Sequence, residues 1–368
     1  MRVICSVVIL LIIPAVLSGS IQFTNYFENR FFILARGLPV LQETQREASL
    51  SDYTRLRIQA SHELATNASV HFALDFFTFH GLLRSPLGAY ESQQTNQDKR
   101  LFLALDRAHI NLYLPGFDII LGKQRLAGGV SSVWTSMDIF NRINIFEPTE
   151  EKPGINALKI YVPLGKLSAL TGIYALEDDF SSSKSSLRAQ THFAGVDAAA
   201  TFSHETERNR SLLGVDFRGE HVIGWWAEAG YLISPHRTNK KIVLGFDYSF
   251  PVGRGLYWMT EFLYDQSGED KSSRYDYAKL REGERYTLGR SYCYSKATYG
   301  MPHYFSASLA YIGNWTDGSF MLSPSFLYPM SDNISLNTGF FIPMGHKGGE
   351  MNRPETGLLF FLWLKINF

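Results

Sequence analysis

The stretch Gly357–Phe368 reads GLLFFLWLKINF. Leu358, Phe360, Leu362, Leu364, Ile366 and Phe368 fall on one parity. Gly357, Leu359, Phe361, Trp363, Lys365 and Asn367 fall on the other. An extended chain sends these sets to opposite faces. One face is therefore wholly apolar, while the other carries Lys365 and Asn367. Such a strand suits two settings: the last, buried strand of a soluble sandwich, or a wall with lipid on one side and water on the other.

The start of the chain bears on that choice. Arg2 precedes an apolar run from Val3 to Leu17, broken only by Pro14 and followed by the small residues Ser18, Gly19 and Ser20. This pattern reads as a secretory signal peptide over residues 1–19, cleaved near Gly19. It is shorter than the roughly 20 apolar residues of a membrane-spanning helix. Removal of Cys5 with it leaves Cys293 as the one cysteine, so no intrachain disulfide is expected. Aromatic residues make up 14% of the chain, with 19 Tyr and 27 Phe, and 35 basic residues balance 35 acidic ones. The balance implies neither nucleic acid nor a general polyanion as partner.

Residues 20–368 read as one domain of alternating strands, with no helical period and no repeat. Leu56, Ile58 and Ala60 alternate with Arg55, Arg57, Gln59 and Ser61; Val70, Phe72, Leu74 and Phe76 oppose His71 and Asp75. Leu101, Leu103 and Leu105 are out of phase with Ala108, Ile110, Leu112 and Leu114, which predicts a bulge near Asp106. Further strands centre on Gly172, Gln190, Ala199, Val215, Ala227, Phe246, Phe262, Arg290, Ser308, Ser323 and Asn337. Short turns such as Pro115–Gly116 and Pro251–Gly255 alternate with long polar inserts. Charged side chains inside so many strands would cost several kcal/mol each in a dry core. A wet lumen removes that conflict. The expected fold is all-β: a transmembrane antiparallel up-and-down β-barrel of about eighteen strands, with short periplasmic turns and long outer loops. In that class the final aromatic residue, here Phe368, serves as the barrel-assembly signal.

With this topology residues 124–154 form the third outer loop, and their amphipathic content predicts that they fold inward. Trp134, Asp138, Arg142, Glu150 and Glu151 are its candidate constriction residues. Arg30, Arg55, Arg57, Arg107, Lys159 and Arg188 are the candidate basic lining, all from the first half of the chain. Asp197, Asp216, Glu228, Asp247, Glu261 and Asp265 are the candidate acidic lining, from the second half. Two opposed walls would set a transverse field across the water; the alternative is that these groups pair with their neighbours.

The stretch Leu121–Gly165 carries a family resemblance. Gly122-Lys123-Gln124-Arg125 leads through Trp134-Thr135 and Asp138-Ile139-Phe140-Asn141 to Glu150-Glu151-Lys152-Pro153-Gly154 and the strand at Ala157-Leu158-Lys159. It resembles bacterial outer-membrane barrels loosely related to alginate-export-like and other eighteen-strand porin families. The resemblance implies a porin-like channel in the bacterial outer membrane, passing small polar or charged solutes by passive diffusion. Export of an anionic polysaccharide, or a structural or adhesive barrel with a closed lumen, stays open. No nucleophile elbow, phosphate loop or paired-histidine helix is present, and the pairs Ser61–His62 and Ser203–His204 point to opposite strand faces, so no enzyme activity, cofactor or metal is expected. The expected partners are outer-membrane lipid and lipopolysaccharide, the barrel-assembly machinery and small solutes, with homo-oligomerisation left open.

Overall fold

The computed structural model describes residues 21–36, 47–81, 101–141, 151–176, 180–235, 237–278, 287–353 and 356–368. The predicted signal segment lies outside them. The strands are β1 (Gln22–Phe23), β2 (Tyr26–Arg36), β3 (Glu47–Ala65), β4 (Ala68–Gly81), β5 (Leu101–Leu114), β6 (Phe117–Gln124) and β7 (Ile155–Pro163). Then follow β8 (Ser168–Ala175), β9 (Lys184–Phe193), β10 (Val196–Glu205), β11 (Arg210–Glu220), β12 (Gly224–Ile233) and β13 (Thr238–Phe250). The last are β14 (Leu256–Asp265), β15 (Ser291–Gly300), β16 (Ser306–Asn314), β17 (Ser319–Pro329), β18 (Ile334–Gly345) and β19 (Leu358–Asn367).

From β2 onward each strand pairs antiparallel with the next, and β19 returns to pair with β2. β1 and β2 both pair with β3, so they fill one place in the wall, and the barrel has eighteen strands. Closure leaves no open strand edge, as a barrel in lipid would require, since an unpaired backbone group there would cost several kcal/mol. The seam continues past the last strand: Phe368 N–H donates to Asn25 O (2.9 Å) and Asn25 N–H to Phe368 O (3.0 Å). One end of the barrel has tight turns, such as 66–67, 115–116 and 194–195. The other carries the long connections.

Alternation sorts the side chains. On β11, Leu212, Gly214 and Asp216 are buried inside, whereas Leu213, Val215 and Phe217 are exposed outside. Outward aromatics such as Phe193, Trp225, Phe250 and Tyr328 gather toward the tight-turn end, the position of an interfacial girdle. The phase break in β5 is a bulge: Ala73 pairs with Arg107 and Leu74 with Leu105, and Asp106 is left over. Two successive side chains, Asp106 and Arg107, therefore both point inward, where they meet Arg57 and Glu151. The strand expected around Arg290 begins one residue later. Arg290 itself is held by loop bonds, its N–H to Thr316 Oγ1 (2.8 Å) and its Nε to Gly268 O (2.9 Å).

The face assignment has a direct check. In a Cys293→Ser background, a cysteine at 365 should react with a water-soluble maleimide in the folded barrel, and one at 360 should be spared. Labelling at 360 with protection at 365 would mean that the register is shifted by one residue.

Candidate functional site

Residues 125–141 leave β6 and lie inside the barrel. Leu126 packs on Ala157 and Ala175 of β7 and β8, joined by Phe140 on the return path. Between these points the chain reaches as far as β15, where the Trp134 ring meets Tyr292 at 5.4 Å between centroids. Val133 and Trp134 are buried among Val243, Leu263, Tyr294, Ala310 and Ile312, all inward residues of β13–β16.

Two carboxylates hold this excursion. Glu228 on β12 accepts the N–H groups of Val130 (2.6 Å), Ser131 (2.7 Å) and Ser136 (3.0 Å), and the Ser136 hydroxyl (3.1 Å). Glu261 on β14 accepts those of Ser132 (2.5 Å), Val133 (2.9 Å) and Trp134 (2.9 Å), and the Trp226 indole N–H (2.7 Å). Hydrogen bonds to an ionised acceptor are about twice as strong as neutral ones. A loop offers many N–H donors with no ladder to satisfy them, and these two side chains supply the acceptors. Glycine makes the close approach possible. A Cβ on Gly230 would strike Ser136 O, and one on Gly129, at φ +83°, would strike the Glu228 carboxylate.

The other end of the loop is anchored on the opposite side of its own root. Glu151 binds both Arg57 and Arg107. Gly154 N–H donates to Asp106 Oδ1 (3.0 Å). Burial alone would raise the Glu151 carboxyl, but the Arg57 and Arg107 guanidiniums outweigh it and hold it below the usual carboxylate range. Lys152 pairs with Asp138 (2.7 Å), whose carboxylate also accepts the Phe140 N–H (2.8 Å). Among the expected constriction residues, Trp134 and Asp138 are thus buried as packing and turn-forming groups, and Glu151 is an anchor. Arg142 and Glu150 lie outside the described residues.

The expected lining residues all take the inward face, but they do not form two opposed, unpaired walls. Arg55 and Arg57 share Asp75, at 2.8 and 2.9 Å, and Arg57 also binds Asp106. Arg57 is 1% exposed and Asp75 fully buried. Arg30 pairs with Glu28 (2.6 Å) and lies over the rings of Trp363 (4.7 Å) and Tyr53 (5.4 Å). Arg188 on β9 reaches across β10 to Asp216 on β11 (2.5 Å), and Lys241 meets Asp265 (3.0 Å). Asp197 contacts His192 (2.7 Å), and Asp247 accepts the Tyr257 hydroxyl (2.8 Å), both near the tight-turn end. Lys159 lies half-buried at mid-strand. The arginines of the expected basic lining are therefore ion-paired, and on the acidic side Asp216 and Asp265 meet cations while Glu228 and Glu261 meet loop N–H groups. The reason is stacking: inward residues on adjacent strands come within reach of one another, and leaving a buried charge unpaired costs about 3–5 kcal/mol.

A further contact at the long-loop end joins three connections. Glu350 accepts from Tyr292 and from Asn314 Nδ2 (2.7 Å), and its own N–H donates to Asp317 (2.8 Å). Tyr292 in turn packs on Trp134. Burial pushes the Glu350 carboxyl up to about 7, against the hydrogen bonds from Tyr292 and Asn314 that lower it. Sequence reading missed this cluster, because its members are brought together only by loop packing.

Removing one loop acceptor should loosen the loop and spare the barrel. Glu261→Ala leaves the three loop N–H groups and the Trp226 indole without their acceptor, at a cost of about 1–3 kcal/mol per buried unsatisfied group. The expected result is faster proteolysis within 125–141 in a protein that still shows heat-modifiable gel migration. Glu261→Gln, which keeps one acceptor oxygen, should fall between the two. Unchanged proteolysis in Glu261→Ala would mean that this carboxylate does not secure the loop.

Neither a family model nor a curated protein matches the sequence. Solved structures do match the fold. A BenF-like porin from Pseudomonas fluorescens Pf-5 superposes with a TM-score of 0.59 at 10% identity, over 95% of this chain and 99% of that one. Acinetobacter baumannii OccAB3 gives 0.57 at 9% identity, over 94% and 99%. Pseudomonas aeruginosa OccK9 (OpdG) gives 0.57 at 10% identity, over 95% and 98%. At such identities the likeness speaks for architecture: the chain has the fold of bacterial outer-membrane porins, a closed antiparallel barrel of eighteen strands.

Proposed function

We propose that the chain forms a water-filled channel in a bacterial outer membrane, through which small polar or charged solutes diffuse passively. The tight turns face the periplasm, and the third outer loop sets the narrowest section. The observation that carries this reading is the seating of residues 130–136 on Glu228 and Glu261, well inside a closed barrel whose inner face carries charged and polar side chains beside apolar ones. A loop that merely covered the rim would have no use for two mid-strand carboxylates. Fold similarity to porins supports the same reading and the absence of an enzymatic role.

Export of an anionic polymer draws less support. Such a chain needs a continuous track of accessible cations, whereas Arg55, Arg57 and Arg107 are engaged by Asp75, Asp106 and Glu151. A closed structural barrel is separated from a pore by conductance. In planar bilayers the purified protein should open discrete channels. Deleting residues 130–140 should raise single-channel conductance, because the segment that occupies the lumen is gone. Equal conductance with and without it would place the narrow section elsewhere. No conductance in either form would contradict the pore reading.

A further inference from the structure

The inner wall holds many charges, yet few are available to a solute. At the level of the loop the inward arginines are matched by Glu28, Asp75, Asp106, Glu151 and Asp216, and Lys241 is matched by Asp265. Among the described inward residues at the middle of the wall, Glu228, Glu261, Lys159 and Lys296 have no ion-pair partner. Glu228 and Glu261 are 1% and 0% exposed. They sit behind the loop, and the loop's own N–H groups occupy their oxygens.

Lys159 and Lys296 are in the opposite situation. Lys159 lies at the middle of β7, inward, with Ile120 and Ile173 directly across on its two neighbours. Lys296 lies at the middle of β15, inward, with Met259 and Ala310 across. Among the described residues neither has a carboxylate within ion-pair reach, and both remain partly open to the lumen. Their strands are eight positions apart in the ring, so the two ammonium groups approach the passage from nearly opposite sides. The flexible stem of lysine lets its charged end extend from an apolar foot into water.

The geometry points to a channel whose accessible fixed charge at the loop is positive, with Lys159 and Lys296 as the residues that favour small anions over cations. This rests on the pore reading above and names the solute class it would pass. Glutamates covered by the loop cannot touch a passing ion, and their charge is met by backbone dipoles. The lysines face the same water as the solute. In a narrow, loop-lined section the effective dielectric is lower than in bulk, which strengthens their pull on an anion. The anion's own chemistry is set only by charge and size: a carboxylate, a phosphate monoester or chloride would each be drawn.

The experiment is a reversal-potential measurement across a KCl gradient, on wild type, Lys159→Gln/Lys296→Gln and Lys159→Arg/Lys296→Arg, each checked for folding by heat-modifiable migration. Wild type should prefer chloride. The glutamine pair should lower the chloride-to-potassium permeability ratio several-fold, and the arginine pair should keep it. The difference should shrink in 1 M salt, where the screening length is about 3 Å. A cation preference in wild type, or a ratio unchanged by the glutamine pair, overturns this inference and leaves the channel standing. The absence of channels in folded wild-type protein overturns the pore reading and this inference with it.

Discussion

The interior of this barrel depends on two buried carboxylates that accept backbone N–H groups. Glu228 and Glu261 turn an unladdered stretch of chain into a fixed part of the lumen. A segment drawn into a barrel must satisfy its backbone without the help of a sheet. Neutral side chains would offer one weak acceptor each. An ionised carboxylate offers two oxygens and favours several donors at once. The hydrogen bonds also relieve the cost of holding each charge away from water. Loop and wall therefore stabilise one another, and neither feature makes sense alone.

The same exchange is repeated at the loop's far end with the signs reversed. There the wall supplies cations, Arg57 and Arg107, and the loop supplies the anion, Glu151. The bulge at Asp106 is what makes this possible. It turns two neighbours inward, so that Asp106 takes up Arg57 and the Gly154 N–H while Arg107 takes up Glu151. The pairing that holds the loop also engages the charged side chains of that stretch of wall.

Much of the architecture was legible in the amino-acid order, because strand alternation is a local property. The inward positions of Arg30, Arg55 and Glu261 follow from parity alone, as does the bulge, which betrays itself when Leu105 and Ala108 fall out of phase. Pairing was less legible, because it depends on register. The turn at 66–67 by itself would set Arg57 opposite Phe76; an irregularity between Glu63 and Ala65 sets it opposite Asp75 instead. A run of plain alternation gives no sign of that shift. The seat of the loop was hidden for another reason. Glu228 and Glu261 look like any inward acids, and only the inward glycines beside them, Gly214 and Gly230, mark a place where another backbone lies against the wall.

The central claim is that residues 125–141 lie within the lumen against β11–β15. The most direct measurement is a cross-link between loop and wall that leaves both glutamates intact. Met137 touches the position of Gly214 on β11. Cysteines at 137 and 214, in a Cys293→Ser background and in intact outer membranes, should join on mild oxidation or with a short bismaleimide. The product should appear as a shifted band after denaturation and disappear if either cysteine is omitted. If both cysteines can be labelled singly and no cross-link forms, the loop does not occupy the barrel as described.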